Sequence, residues 1–345
     1  MRYKLLGRSG LRVSELCLGT MTFGDTWGWG ASKDECRKMF DAFANVGGNF
    51  IDTANHYTNG ISERYVGEFI GKDRERFVVA TKYTLNGRPT DPNGGGSHRK
   101  NLVQSLDASL HRLGVDYIDL YWVHAWDPLT PTEEVMRALD DVVRAGKVLY
   151  IGVSDTPAWV VARANAIADA RGWTPFTALQ LPYSLIERTP ERELLPMAKA
   201  LDIAVTPWGV MGSGLLSGKY EHGARPDGDR LTVTPWGAVT LTERNHAIAA
   251  EAIAIAQEIG CTPSQVAVAW VTKQPWGVVI PILGAKRVEQ LVDNLGGLQV
   301  PLDAAHLQRL NAASSIDLGF PSDFLANADN FIYGETRRLI DDHRQ

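Results

Sequence analysis

The chain has 345 residues, 44% of them hydrophobic and 22% charged, with a formal net charge of −5. That is a globular composition long enough for a large core, and its acidic balance leaves no electrostatic footprint for nucleic acid or an anionic membrane. The three cysteines, Cys17, Cys36 and Cys261, lack CxxC spacing and the histidines lack HExxH-type spacing, so structural thiols and no metal site are expected.

The amino terminus, MRYKLLGRSG, has no apolar signal-peptide core, and the longest apolar runs are strand-sized. A cytoplasmic protein that does not engage a membrane is expected. Two short runs around GRSG predict a hairpin over residues 2–14 that caps the bottom of the fold. SELCLG then leads into SKDECRKMFDAFANVG, where Ser32 and Glu35 read as a capping box and Gly47 and Gly48 as a stop. NFIDTA precedes SERYVGEFIG, RFVVATK precedes RKNLVQSLDASLHRLG, and YIDLYWVH precedes PTEEVMRALDDVVRAG. VLYIGVS, TALQLPY and IAVTPWG follow with their own helical partners, PERELLPMAKALD after TALQLPY among them, and GVVIPIL closes the series. Pro131, Pro157 and Pro190 fall near helix starts, where a missing amide donor does no harm.

Eight βα units with near-continuous Val, Ile and Leu strands predict a closed (β/α)8 barrel rather than an open doubly wound sheet. Length alone allows two domains, but such barrels exceed 250 residues as one. Residues 1–345 are therefore read as a single barrel domain with 316–345 as a C-terminal tail. Segment 212–242 is long for a connector and reads as a lid or binding loop. GSGLLSGKY has neither the GxGxxG nor the GxxxxGK[ST] spacing of phosphate-binding loops, and the glycines at 94–96 read as a turn.

Asp52, Tyr57, Lys82 and His124 each stand just past a predicted strand, at the end where barrel strands converge on a common mouth. Singly, each has a structural explanation: a helix cap, a core ring, a snorkelling amine, a satisfied imidazole. Together they make an acid, a phenol, an amine and an imidazole suited to proton transfer. Tyr57 could protonate a carbonyl oxygen, Lys82 would lower the phenol's pKa, Asp52 would keep Lys82 charged, and His124 could orient the substrate oxygen. Phe23, Trp27, Trp29, Tyr83 and Trp126 lie in adjacent loops and could line an aromatic substrate pocket, with Trp236 either on that wall or packing its own loop.

NFIDTANHYTNGISERYVGEFI, ATKY, LYWVHAWD, GKVLYIGVSD and LQLPYSLIER resemble the aldo-keto reductase superfamily. The likeness is to the branch with bacterial oxidoreductases, aryl-alcohol dehydrogenases and potassium-channel β subunits, from about Leu5 through the LVDNL helix. It implies Tyr57 as general acid/base, Lys82 and Asp52 as its partners, and His124 as substrate orienter. It also implies NADP(H), with NAD less favoured, lying across the barrel mouth. Thr20, Asp52, Ser154, Asp155, Gln180, Trp208 and Gly209 match the nicotinamide side. Leu215, Ser217 and Lys219 match a loop that folds over the pyrophosphate.

Gly284, Lys286, Gln290 and Asn294 match the adenosine-phosphate segment, where Lys286 and Arg287 are either ligands of a 2′-phosphate or solvated helix-start cations. The branch usually has Asn at position 155, and an ionised Asp accepts but does not donate. The expected activity is NADPH-dependent reduction of an aldehyde or ketone, with alcohol oxidation in reverse, in a monomer or homo-oligomer. The competing expectation is a cofactor-binding regulatory subunit resembling the channel β subunits.

Overall fold

The structure is a computed structural model that describes residues 1–220, 230–233 and 239–341. Trp236 and much of the 212–242 insertion lie outside the described residues. An antiparallel hairpin, β1 (Tyr3–Leu5) and β2 (Arg12–Ser14), precedes eight parallel strands. These are β3 (Cys17–Gly19), β4 (Phe50–Asp52), β5 (Val78–Tyr83), β6 (Ile118–Val123), β7 (Val148–Ser154), β8 (Phe176–Pro182), β9 (Ala204–Trp208) and β10 (Ile282–Leu283). Helices α1 (Lys33–Asn45), α2 (Ile61–Ile70), α3 (Arg99–Leu113), α4 (Thr132–Arg144), α5 (Ala158–Arg171) and α6 (Leu194–Ala200) alternate with them. After the insertion come α7 (Glu243–Ile259), α8 (Pro263–Thr272), α9 (Val288–Leu295) and α10 (Ala304–Ala313).

Strands β3 to β9 pair in chain order, and β10 returns to pair with β3. The ring closes because Val205 of β9 donates to the Val278 carbonyl at 2.7 Å and accepts from the Ile280 amide at 2.8 Å. This is the expected (β/α)8 barrel, with one difference in its last strand. Pro281 has no N–H to extend a ladder, so GVVIPIL divides: residues 278–280 face β9, while Ile282–Leu283 face β3. Among the described residues no helix is long and apolar enough to cross a membrane.

Successive residues of a strand point to opposite faces, and the core divides accordingly. Val78, Ala80, Leu120, Trp122, Ala178 and Ala204 fill the barrel interior, whereas Val79, Tyr83, Tyr121, Val123, Leu179 and Val205 pack outward against the helices. Leu6 and Val13 of the hairpin belong to the interior cluster. Arg8 donates its amide to the Asp202 carbonyl at 2.9 Å, just before β9. The hairpin therefore plugs the N-terminal end, as its sequence suggested, and leaves the C-terminal end for chemistry.

Two local expectations change. Ser32 does cap α1 by accepting from the Glu35 amide, but the Glu35 carboxylate does not reach back to complete the box. It accepts instead from the Val288 amide at 2.7 Å, on the far side of the barrel seam. The run after Pro190 is not one helix: a turn at Thr189–Arg192 is separated from α6 at Glu193, whose φ is −144°. Glu191 is held there by Arg188 and by the Tyr183 hydroxyl at 2.6 Å. Arg244 donates to the Ser314 carbonyl and Arg192 to that of Asp317, and beyond these contacts Phe320 and Phe331 are exposed.

Gly152 stands beside Trp122 in the β6–β7 register, and a Cβ there would lie 2.4 Å from the indole ring. Gly152→Ala should therefore overpack the interior and lower stability by about 1–3 kcal/mol. Urea unfolding checks this, and an unchanged midpoint would show that the indole has room to shift.

Candidate active site

Counting in twos along β5 decides the centre of the site. Val78 and Ala80 face inward, so Lys82 does too, and its side chain has no exposed surface. Its ammonium pairs with Asp52 at the end of β4, donates to the Thr53 carbonyl at 2.8 Å, and donates to the Tyr57 hydroxyl at 3.1 Å. The second Asp52 oxygen accepts from Gln180 of β8 at 3.1 Å. His124 follows β6, its amide donating to the Tyr83 carbonyl at 3.1 Å and its ring lying 5.9 Å from that of Tyr57 at 82°. The four strand-end residues thus meet in one cluster.

Their electrostatics differ from expectation at one point. Lys82 does lower the Tyr57 pKa as expected, but burial outweighs it, Asp52 reinforces burial, and the phenol ends above its ordinary value. For Lys82, burial pulls the pKa down, but Asp52 and Tyr57 outweigh it and the amine ends above its ordinary value. Burial, with Lys82 and His56 adding, holds His124 well below the usual imidazole range. The resting cluster is therefore a neutral phenol, a charged amine and a neutral imidazole.

The substrate side divides. Trp27 lies 5.5 Å from Trp29, 6.0 Å from His56 and 6.4 Å, edge-on, from Tyr57. Trp126 is 41% exposed and packs edge-on against Trp159, itself 58% exposed. Tyr83 and Phe23 are not on this wall. One residue past inward Lys82, Tyr83 points out into the helix layer, stacked on Tyr121 at 5.2 Å. Phe23 is fully buried against Phe69.

On the opposite flank, Ser154 is buried beside Asp155, Trp208 is 41% exposed, and Gly209 has φ 73°. Asp155 adopts φ 44°, a left-handed conformation that Asp and Asn tolerate best among side chains. Its amide donates to the Gln180 carbonyl and its carbonyl accepts from Trp126, each at 3.3 Å. Burial raises the Asp155 carboxyl and the Trp208 indole counters it. Among the described residues, nothing stands where a side chain on Gly284 would. Gln290 accepts from the Lys286 and Arg287 amides at 3.0 and 3.2 Å, and Asn294 is buried. Ser217 donates to the Gly214 carbonyl, Leu215 is buried, and Lys219 lies over the Tyr220 ring. Thr20 is buried beneath the mouth, its hydroxyl bonded to the Asp52 carbonyl at 2.9 Å.

An exposed indole and, among the described residues, an open glycine beside two cations fit a nicotinamide dinucleotide along this flank. Some contributors escaped the sequence reading. His56 could have been found by its place next to Tyr57, and Trp159 by its place four residues past Asp155. Glu35 carries the local signal of a capping box and none of its distant contact: the Val288 amide, then Lys38 and Arg287, hold its carboxyl below the usual range at the start of α9.

A profile of the Aldo/keto reductase family matches residues 15–315. A norsolorinic acid reductase of Aspergillus flavus is 39% identical over 334 residues, covering 93% of this chain and 83% of its own. An aryl-alcohol dehydrogenase [NADP(+)] of Phanerodontia chrysosporium is 37% identical over 330 residues, covering 90% and 85% respectively. The chain belongs to the aldo/keto reductase family. It is an oxidoreductase acting on small-molecule carbonyls or alcohols, in a family that generally uses a nicotinamide cofactor.

Removing one partner of a buried ion pair leaves the other charge without compensation, at a cost of about 3–5 kcal/mol. Lys82→Met should lose stability of that order, and the Asp52→Asn/Lys82→Met double variant should recover part of it. Denaturant unfolding of both checks this; a double variant no better than the single would locate the loss in packing.

Proposed function

We propose that the chain is an NADPH-dependent reductase of aromatic aldehydes and ketones, running in reverse as an alcohol dehydrogenase. The observation that carries this reading is the Tyr57 hydroxyl 3.1 Å from the Lys82 ammonium, on a part-buried ring between His124 and Trp27. When bound, the nicotinamide supplies the hydride that arrives at the carbonyl carbon. Tyr57 delivers its proton to the carbonyl oxygen. Burial keeps that proton on the phenol at rest, and the adjacent ammonium stabilises the phenolate left as it departs.

His124, held neutral beside Tyr57, would orient the substrate oxygen through its ring. The exposed rings of Trp126 and Trp159 and the Trp27–Trp29 pair offer apolar faces to an aryl group. Ser154, Asp155 and Gln180 would hold the nicotinamide end, and Lys286 and Arg287 the 2′-phosphate, in keeping with the cofactor in the name of the Phanerodontia relative. We read residues 316–345 as a tail to a single catalytic barrel.

Tyr57→Phe should bind NADPH as the parent does and turn over less than about a hundredth as fast, the range of a lost general acid. A panel of aryl aldehydes and ketones, followed by NADPH absorbance, measures it. Parent protein that binds cofactor but reduces none of them would overturn the reading.

The pH dependence follows from the protonation states. A phenol raised above its ordinary value, about 10, stays protonated through neutral pH, so reduction should hold steady there and fall only as the phenol ionises in alkali. Oxidation needs the phenolate and should rise with pH over the same range. His124, held neutral, should impose no loss between about pH 6 and 8. Rate–pH profiles in both directions test this; reduction falling through neutrality would contradict it.

A further inference from the structure

Tyr57 sits on a turn whose next two residues have left-handed backbones: Thr58 at φ 46°, ψ 39° and Asn59 at φ 57°, ψ 38°. Asparagine enters this region readily, whereas a β-branched threonine does so only when its surroundings enforce it. Thr58 is fully buried. Its hydroxyl donates to the Phe23 carbonyl at 2.7 Å and accepts from the Ser62 amide at 3.2 Å, in the first turn of α2.

Phe23 lies in the 22–31 loop that follows β3. The base of that loop is closed by Gly24 N–H to the Ala31 carbonyl at 3.1 Å and Ala31 N–H to the Thr22 carbonyl at 2.8 Å, and its tip carries Trp27 and Trp29. Gly24 lies so near that a Cβ on it would be 3.0 Å from the Thr58 hydroxyl and 3.2 Å from the Thr58 Cβ. One side chain therefore touches the loop of the aromatic wall, the turn of the phenol and the start of α2.

We infer that Thr58 is a positioning residue whose hydroxyl clasps the Trp27–Trp29 loop to the Tyr57 turn and so sets the distance between the aromatic wall and the proton donor. It touches no reacting atom and acts through Tyr57. The inference rests on the reading of Tyr57 as that donor, but the clasp itself is open to test without turnover. The unfavourable backbone at Thr58 is held by the same hydroxyl that makes the clasp, so the position ties local strain to site geometry.

Thr58→Gly tests it, because glycine reaches these dihedrals without strain and removes the hydroxyl; since it also loosens its own turn, exchange in residues 22–31 is the deciding readout. Two readouts are compared with the parent and with Thr58→Ser, which keeps the hydroxyl. In Thr58→Gly, amide hydrogen exchange should quicken in residues 22–31 and 55–59, and kcat for an aryl ketone should fall on the order of 10²-fold, as for a misplacement of about 1 Å. NADPH affinity should not change, and Thr58→Ser should restore both exchange and kcat. Parent-like exchange in residues 22–31 of Thr58→Gly overturns the inference, as does a serine variant as impaired as the glycine one. If the parent reduces no carbonyl, the functional reading fails while the exchange comparison still decides the clasp.

Discussion

A lysine ammonium without exposed surface has to find inside the protein everything that water would have given it. Stripping a charge of water costs several kcal/mol even after relaxation. Attraction to one carboxylate at contact distance is on the order of 4 kcal/mol in an effective dielectric of about 20. The pair alone does not balance two desolvated ions, and the rest of the site can be read as the remainder. The Thr53 carbonyl and the Tyr57 hydroxyl accept further hydrogen bonds from the ammonium, and Gln180 donates to the other Asp52 oxygen. These contacts tie β4, β5 and β8 together across the barrel mouth, so the ion pair constrains register as well as chemistry.

Around that pair the mouth divides in two. The loops after β3 and β4 bring Trp27, Trp29, His56 and Tyr57 into one aromatic group, while the ends of β7, β8 and β9 present Ser154, Asp155, Gln180 and Trp208. Lys82 is the hinge between them, bonded to the phenol on one side and, through Asp52, to Gln180 on the other. Opposed influences on Tyr57 are the outcome: a dry setting that retains its proton and a neighbouring cation that eases its release.

The barrel was legible because its signal repeats. Eight strand-sized apolar runs alternate with helical ones, and the residue after each run lands at the same end, which is why Asp52, Lys82 and His124 could be grouped before any coordinates. The period of two that places Lys82 inside also places Tyr83 outside, so the misplacement of Tyr83 was avoidable from sequence by continuing the count. Phe23 was less legible, since a loop ring has no period to read. Glu35 and Thr58 were not legible at all. The Glu35 partner is 253 positions away at Val288, and nothing local distinguishes it from a capping residue. Thr58 adopts a backbone that its residue type disfavours, so propensity argues against the geometry that its tertiary hydrogen bonds impose. The Tyr57 shift was misjudged for a related reason: the cation could be named from sequence, but the depth of burial that outweighs it depends on the assembled mouth.

The divided last strand bears on how the protein is made. Cys17 at one edge and Val205 at the other both wait for residues 278–283 to complete the ring. Until that segment leaves the ribosome, a chain that has already formed β3 to β9 is an open sheet with two unpaired edges, the kind of surface that recruits strands from other molecules. The interval of exposure is set by the synthesis of some seventy residues between β9 and β10, α7 and α8 among them. Premature termination within that stretch would release a molecule with Asp52, Tyr57, Lys82 and His124 nearly in place and the wall between β9 and β3 still open.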